Sequence, residues 1–248
     1  MHPPPVLLPG RAQPRPVVWI TGAAGGLGQG LVAAFAARGW HVAAAYHREA
    51  GHRETDPIWP LAVDVTNRDQ VRSGLARILH RWRRIDVLVN NAGAVADHLS
   101  WRINEADWDR VLAVNLKGAF LCAQAALGPM RKQCRGHIIN LASFAARSGP
   151  AGQANYAAAK AGLLGLTVAL AKEVGPHAVR VNAVLPGVLP TPMTAVLPEQ
   201  QWRGLIAANV LGRPNSIAEV AQFIVFLAMM QNVSGQLFQL DSRISRWC

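Results

Sequence analysis

The sequence predicts an α/β fold, a single domain built on a doubly wound parallel sheet with helices on both faces. Three observations predict it. Short apolar runs alternate with longer segments of helical spacing, the rhythm of parallel strands joined by right-handed crossovers. The first run feeds a glycine-rich turn, Thr21-Gly22-Ala23-Ala24-Gly25-Gly26-Leu27-Gly28, that opens a helix. The 248 residues are 51% hydrophobic and only 16% charged, which suits a sheet covered on both faces around a full core.

Taken in order, residues 16–20 read as a strand running into the glycine turn, and 28–38 carry small and apolar residues at helical spacing. A second strand is expected at 40–46 and a third at 60–65, its end marked by Asp64. Residues 67–83 read as a helix capped by Thr66 or Asn67. A fourth strand, 85–89, ends in Asn90-Asn91-Ala92-Gly93. A long helix follows around 108–130, then a strand at 137–143, a helix at 155–174 and a strand at 179–185 that ends at Pro186-Gly187. Residues 188–214 are interrupted by prolines and read as a mobile segment. A helix at 216–230 and a strand at 236–240 complete the chain. No internal repeat or linker divides residues 16–248, and the proline-rich residues 1–15 read as a flexible extension.

Composition narrows the function. No apolar run approaches the ~20 residues of a membrane span; 220–230, broken by Gln222, reads as a buried helix. The N-terminus lacks the charged-then-apolar order of a leader, so the cytoplasm is the expected compartment. Cys122, Cys134 and Cys248 have no metal-ligand spacing and read as unpaired thiols, with no metal expected. The net charge of +11 attracts nucleic acid, an acidic protein or a phosphorylated substrate alike, and equally describes a generally basic surface. No helix-turn-helix, zinc finger or aromatic-basic RNA motif accompanies it, so nucleic acid is not an expected partner.

A glycine-rich turn between a first strand and a helix lets backbone approach a pyrophosphate, and the helix N-terminus supplies N–H groups and a positive dipole end. In such folds an acidic residue about 20 positions on binds the ribose of NAD. Here the second strand ends Ala45-Tyr46-His47-Arg48, without that carboxylate. His47 and Arg48 are suited to the 2′-phosphate of NADP; Arg48 as a plain surface residue, or Glu49 on a ribose, are the alternatives. Asp64 either meets the adenine edge or simply begins the next helix, and the two are compatible.

Tyr156 and Lys160 stand four apart, on one helix face. A free tyrosine titrates near ~10, and a nearby ammonium lowers that by favouring the phenolate. A tuned tyrosine then acts as general acid in reduction and general base in oxidation. Ser143, at the end of a neighbouring strand, is placed to hold a carbonyl oxygen. Taken alone, a Tyr-x-x-x-Lys pair is common and usually structural.

With Thr21-Gly22-x-x-x-Gly26-x-Gly28, Asp64-Val65, Asn90-Asn91-Ala92-Gly93, Asn115, Ser143, Tyr156-x-x-x-Lys160 and Pro186-Gly187 followed by Thr191, the chain resembles the short-chain dehydrogenase/reductases over about residues 16–240. That resemblance implies a Rossmann fold and a nicotinamide cofactor carrying the hydride chemistry. It makes Tyr156 the proton donor, Ser143 the carbonyl-orienting group, Lys160 the holder of the nicotinamide ribose and Asn115 the holder of a relay water. Thr21, Gly22, Gly26, Leu27 and Gly28 would cradle the cofactor's pyrophosphate end. Asn91, Ala92 and Gly93 would flank the adenosine ribose, with Asp64 and Val65 at the adenine. Pro186, Gly187, Leu189 and Thr191 would meet the nicotinamide.

Within the family, residues 90–112, 152–165 and 185–194 are similar to those of 3-oxoacyl-[acyl-carrier-protein] reductases. The resemblance implies NADPH-dependent reduction of a 3-oxoacyl thioester in fatty-acid or polyketide-like synthesis. It also implies a homotetramer and an acidic acyl-carrier protein docking at Arg131, Lys132 and Arg135. A free small ketone, quinone or alcohol as substrate, or a non-catalytic cofactor-binding subunit, are the rival readings. Three features depart from the family pattern: a connection between residues 48 and 60 too short for its usual helix, Gln239-Leu240-Asp241-Ser242-Arg243 where relatives carry a glycine pair, and the N-terminal extension.

Overall fold

The computed structural model describes residues 14–244. The expected extension therefore lies outside the described residues except for Pro14 and Arg15, and so does Cys248; Arg15 pairs with Asp56 at 2.9 Å. The strands are β1 (Val17–Ile20), β2 (His41–Tyr46), β3 (Ile58–Ala62), β4 (Val87–Asn90), β5 (Gly136–Leu141), β6 (Val179–Leu185) and β7 (Leu237–Gln239). They form one sheet in the order β3-β2-β1-β4-β5-β6-β7, with every pairing parallel. The chain thus starts mid-sheet, winds outward to β3, and returns to β4 on the other side of β1. A ligand crevice opens at such a reversal, beyond the C-terminal strand ends.

The helices are α1 (Gly26–Ala37), α2 (Arg68–Trp82), α3 (Glu105–Leu112), α4 (Gly118–Lys132), α5 (Ala145–Ser148), α6 (Ala154–Val174), α7 (Pro192–Ala195), α8 (Glu199–Ala207) and α9 (Ile217–Met229). Alternation along each strand divides the core into two layers. Val17, Trp19, Leu88 and Ile138 face one layer with α2, α4 and α6, while Val18, Ile20, Val89 and Ile139 face the other with α1 and α9. The doubly wound α/β architecture expected from the sequence is the one observed.

Several local expectations are corrected. The third strand begins two residues before Pro60, which β3 tolerates because it is the sheet edge. Asp64 stands beyond that strand rather than on it. Asn67, not Thr66, caps α2, accepting from the amides of Asp69 and Gln70. The long helix starts at Glu105, where Asn104 caps it, and a π-helical stretch, Ala113–Lys117, joins α3 to α4. Residues 188–214, expected as a proline-interrupted mobile segment, carry α7 and α8, and a capping box between Thr191 and Thr194 starts α7. No helix bridges β2 and β3, as the short connection led us to expect.

Two continuous helical rods, Glu105–Lys132 and Ala154–His177, are long and apolar enough to cross a membrane, which the run-length reading missed. Their apolar residues serve the core instead: Leu121, Cys122, Ala126 and Met130 of one, and Leu163, Leu170 and Val174 of the other, are buried.

His137, the second residue of β5, is fully buried, its Nε2 2.8 Å from Asn182 Nδ2. Burial, then the charge of Arg180, pushes its pKa from 6.5 down to about 3. The unfolded chain takes up this proton near pH 6.5 and the folded chain only near 3, so stability is full above 6.5 and falls as pH drops through that window. The shift corresponds to on the order of 4 kcal/mol by the bottom of the window. Denaturant unfolding of wild type and His137→Gln between about pH 7 and pH 4 should give a shallower acid decline in the variant. Equal slopes would refute this assignment.

Candidate active site

The cleft at the C-terminal strand ends has a volume of about 680 Å³, within the range of a cofactor and substrate site. Its floor is the turn after β1. Gly22 holds φ at +62°, and a Cβ there would stand 2.8 Å from the Ala92 Cα, so only glycine lets the turn lie against the end of β4. Buried Thr21 fixes that contact: its Oγ1 accepts from the amides of Asn91 and Ala92, both at 3.0 Å. Asn91 Nδ2 in turn donates to the carbonyls of Thr21 and Gly22, both at 3.0 Å. The N-cap of α1, Gly25, offers no side-chain cap, and the first turn has no acidic residue. The opening N–H groups of this 12-residue helix are therefore free for an anion. These residues fit the pyrophosphate of a dinucleotide.

At the adenosine side, Asp64 Oδ1 accepts from the Thr66 amide at 2.9 Å and hydroxyl at 2.7 Å. Burial works against its charge, but those bonds and His47, 3.5 Å away, hold its carboxyl below the usual range. His47 and Arg48 are exposed beyond β2, and Arg48 has no ion-pair partner among the described residues. Val65 is buried against α4, its Cγ2 2.8 Å from where a Gly118 Cβ would be. The 48–54 segment folds back on the glycine turn, where His52 Nε2 lies 3.2 Å from the Ala23 carbonyl oxygen.

Tyr156 and Lys160 lie in the first two turns of α6. Lys160 is only 4% exposed; its Nζ donates to the Leu141 carbonyl at 2.7 Å and stands 5.6 Å from the Tyr156 ring centroid. Burial brings its pKa down from 10.5 to about 8. Ser143, two residues past the end of β5, accepts from the Ala145 amide at 3.2 Å, and its hydroxyl acts on the Tyr156 phenol to favour the phenolate. Burial raises the phenol above its usual value, the Ser143 hydroxyl offsets this in part, and Asp97 adds to the rise. The downward pull expected from Lys160 is not among the causes; its Nζ is bonded to the Leu141 carbonyl instead.

Gly22, Gly26, Leu27, Gly28, Asn91 and Gly93 line one side of the cleft; Ser143, Tyr156, Lys160, Pro186, Gly187, Leu189 and Thr191 line the other. Thr191 reaches across, its Cγ2 3.0 Å from where a Gly26 Cβ would be. Asn115 sits one layer back in the π-helical stretch, a local form often found at functional sites. Its Nδ2 donates to the carbonyls of Ala94 at 2.7 Å and Val111 at 2.9 Å, and its buried Oδ1 has no partner.

Other residues shape this site without having been singled out in the sequence. Asn155 donates to the Ala96 carbonyl at 3.0 Å and accepts from the Tyr156 amide at 2.8 Å, while Gln153 donates to Asp97 at 2.8 Å. With Asn115 they pin the 94–97 loop against α6. A buried chain runs from Asn90 Nδ2 to Asn140 Oδ1 at 2.9 Å, and from Asn140 Nδ2 to Thr167 Oγ1 at 2.9 Å, tying β4 and β5 to α6. Asn215 donates to the carbonyls of Pro186 and Leu240, both at 2.9 Å. Arg243 is paired with Asp241 and lies over the Phe144 ring at 3.9 Å, making the C-terminal segment part of the cleft wall. The asparagines at strand and helix ends were the visible signal; Arg243 stood out only as part of the segment that departs from the family pattern.

The sequence pattern of the short chain dehydrogenases matches residues 16–202. The 3-oxoacyl-[acyl-carrier-protein] reductase FabG of Thermotoga maritima is 41% identical over 91% of this chain and 96% of its own length. The 3-oxoacyl-[acyl-carrier-protein] reductase of Synechocystis sp. is 37% identical over 91% and 95%, and the FabG of Escherichia coli 35% identical over 86% and 89%. With three quarters of its length carrying the family pattern and its strand-end cleft built around Ser143, Tyr156 and Lys160, the chain belongs to the short-chain dehydrogenase family and is an oxidoreductase that works with a nicotinamide cofactor.

Proposed function

We propose that the chain reduces a 3-oxoacyl thioester, delivered on an acyl-carrier protein, to the 3-hydroxyacyl product with NADPH, as one catalytic unit spanning 16–248. The observation that carries this reading is the Ser143–Tyr156–Lys160 group on one wall of a cleft, in a chain 41% identical to a reductase of that name. NADPH, when bound, would provide the hydride for the ketone carbon. The Ser143 hydroxyl and the Tyr156 phenol hold the ketone oxygen, stabilising its charge as it develops. Tyr156 donates the proton that completes the alcohol. Its raised pKa keeps it protonated at neutral pH, the form needed for reduction. Lys160 holds the nicotinamide ribose and returns a proton to Tyr156, and its pKa of about 8 suits that exchange. Asn115 steadies the water path behind it.

NADPH is favoured over NADH because exposed Arg48 and His47 stand where a ribose carboxylate is missing. Arg131 and Lys132 at the exposed end of α4 supply the carrier-docking charge. Arg135 is turned toward Asp86, 3.6 Å away, and contributes less. Two apolar faces support a homotetramer: Trp108 and Phe120 on α3 and α4, and Phe226 and Met229 on α9, are 37–55% exposed. The cytoplasm is the compartment this reading assigns.

Oxidation of NADPH with a 3-oxoacyl thioester should be measurable in wild type and fall ~10²–10⁴-fold in Tyr156→Phe with NADPH binding retained. Absence of turnover despite NADPH binding would shift the reading to another ketone. Replacing Arg48 with Ala should lower kcat/KM for NADPH about tenfold or more, by loss of one charge-assisted phosphate contact, and leave NADH nearly unchanged. A parallel loss with both cofactors would place the residue elsewhere in the function. Charge reversal of Arg131 and Lys132 should raise KM for carrier-bound substrate but not for a short free thioester. Equal effects on the two substrates would favour the free-ketone alternative.

A further inference from the structure

At the opposite end of the sheet from the active-site cleft, beneath the N-terminal ends of β5 and β6, lies a second cavity of about 480 Å³. We infer that it binds a phosphate-sized oxyanion, held chiefly by Arg180 with Arg135 beside it.

Arg180 is the second residue of β6, paired in register with His137, and is only 8% exposed. Among the described residues its guanidinium makes no ion pair, and its buried Nη1 has no hydrogen-bond partner. Buried arginines are otherwise found paired, because removing an isolated cation from water is costly. Nη1 itself is sealed from solvent, so an anion in the cavity would meet the rest of the Arg180 side chain that lines it.

The surroundings carry the same sign. Arg135 also lines the cavity, no carboxylate does, and burial followed by the Arg135 charge bears down on the Arg180 pKa. The nearby carboxylate, Asp86, is shared: Arg84 grips it at 2.6 and 2.8 Å, the Val17 amide donates to it at 2.8 Å, and Arg135 Nε stands 3.6 Å from it, so none of its charge reaches Arg180 as an ion pair. His137, next to Arg180, is neutral at physiological pH and adds no counter-charge. Ser234 Oγ accepts from the Val181 amide at 3.1 Å, which leaves its hydroxyl hydrogen to donate into the cavity. The Arg180 guanidinium, the part of Arg135 not engaged with Asp86 and a hydroxyl, brought together from β6, the α4–β5 loop and the segment before β7, match an oxyanion with several acceptor oxygens.

The test uses the full chain and inorganic phosphate, with sulfate in parallel and chloride at matched ionic strength as the control. Phosphate should raise the thermal midpoint of wild type saturably by a few degrees. Arg180→Met, which keeps the apolar stem, should lose that rise and, without phosphate, unfold no lower than wild type. Arg135→Gln, at an exposed position, should weaken phosphate binding several-fold while shifting the phosphate-free midpoint little, since only an exposed ion pair to Asp86 is lost. Arg48→Ala should keep the full rise, which separates this cavity from the cofactor cleft. A rise that survives in both arginine variants, or no rise beyond chloride, would overturn the assignment. So would a phosphate-free Arg180→Met that unfolds well below wild type, since the guanidinium would then be satisfied within the fold.

Discussion

The site depends on the join between the ends of β1 and β4. These strands are neighbours in the sheet but lie about 70 positions apart in sequence, and the chain reverses its winding between them. Thr21 and Asn91 bridge the gap with four hydrogen bonds, all at 3.0 Å and largely removed from solvent. The bridge fixes the glycine turn at a set height above the sheet, and that height aims the free N–H groups of α1 into the cleft. Asn91 is thus less a ligand contact than the strut on which the cofactor floor rests. A polar bridge of this kind, fully satisfied in a buried setting, adds rigidity where an apolar contact would allow sliding.

The catalytic wall is registered by a second polar chain. Asn90, Asn140 and Thr167 connect the centre of the sheet to the middle of α6, and Lys160 adds its own bond to Leu141. Asn155 and Gln153 hold the N-terminus of the helix. Tyr156 therefore sits between two anchored points on one helix, and Ser143 emerges from the strand to which that helix is tied. The proposed roles of Tyr156 as proton donor and Ser143 as carbonyl-holding group would require this fixed separation, since misplacement by an ångström costs heavily in rate.

Much of the fold was legible because its signals are local. Strands flanked by glycine, helices with apolar stripes and the four-residue step from Tyr156 to Lys160 all lie within short windows. The readings that failed depended on tertiary context. Pro60 marked a strand start by propensity, yet the edge position of β3 lets that strand run through it. The run at 188–214 was read as loose from its prolines, but Pro192 and Pro198 sit at helix starts, where the missing N–H costs nothing. The upward balance at Tyr156 was hidden because burial is set by the whole fold. Arg243 stood out only as part of a segment that departs from the family pattern: its role comes from a ring, Phe144, roughly 100 positions earlier.

That last contact ties the cleft to the order of synthesis. The cofactor floor is complete once the first 93 or so residues have been made, and the catalytic helix is drawn onto β4 and β5 well before the end. The wall beside Phe144 waits for Asp241 and Arg243, and the base of α8 waits for Ser242, whose carbonyl and hydroxyl meet the amides of Val210 and Leu211. Residues 241–243 thus supply one side of a cleft whose glycine turn lies more than 200 positions earlier.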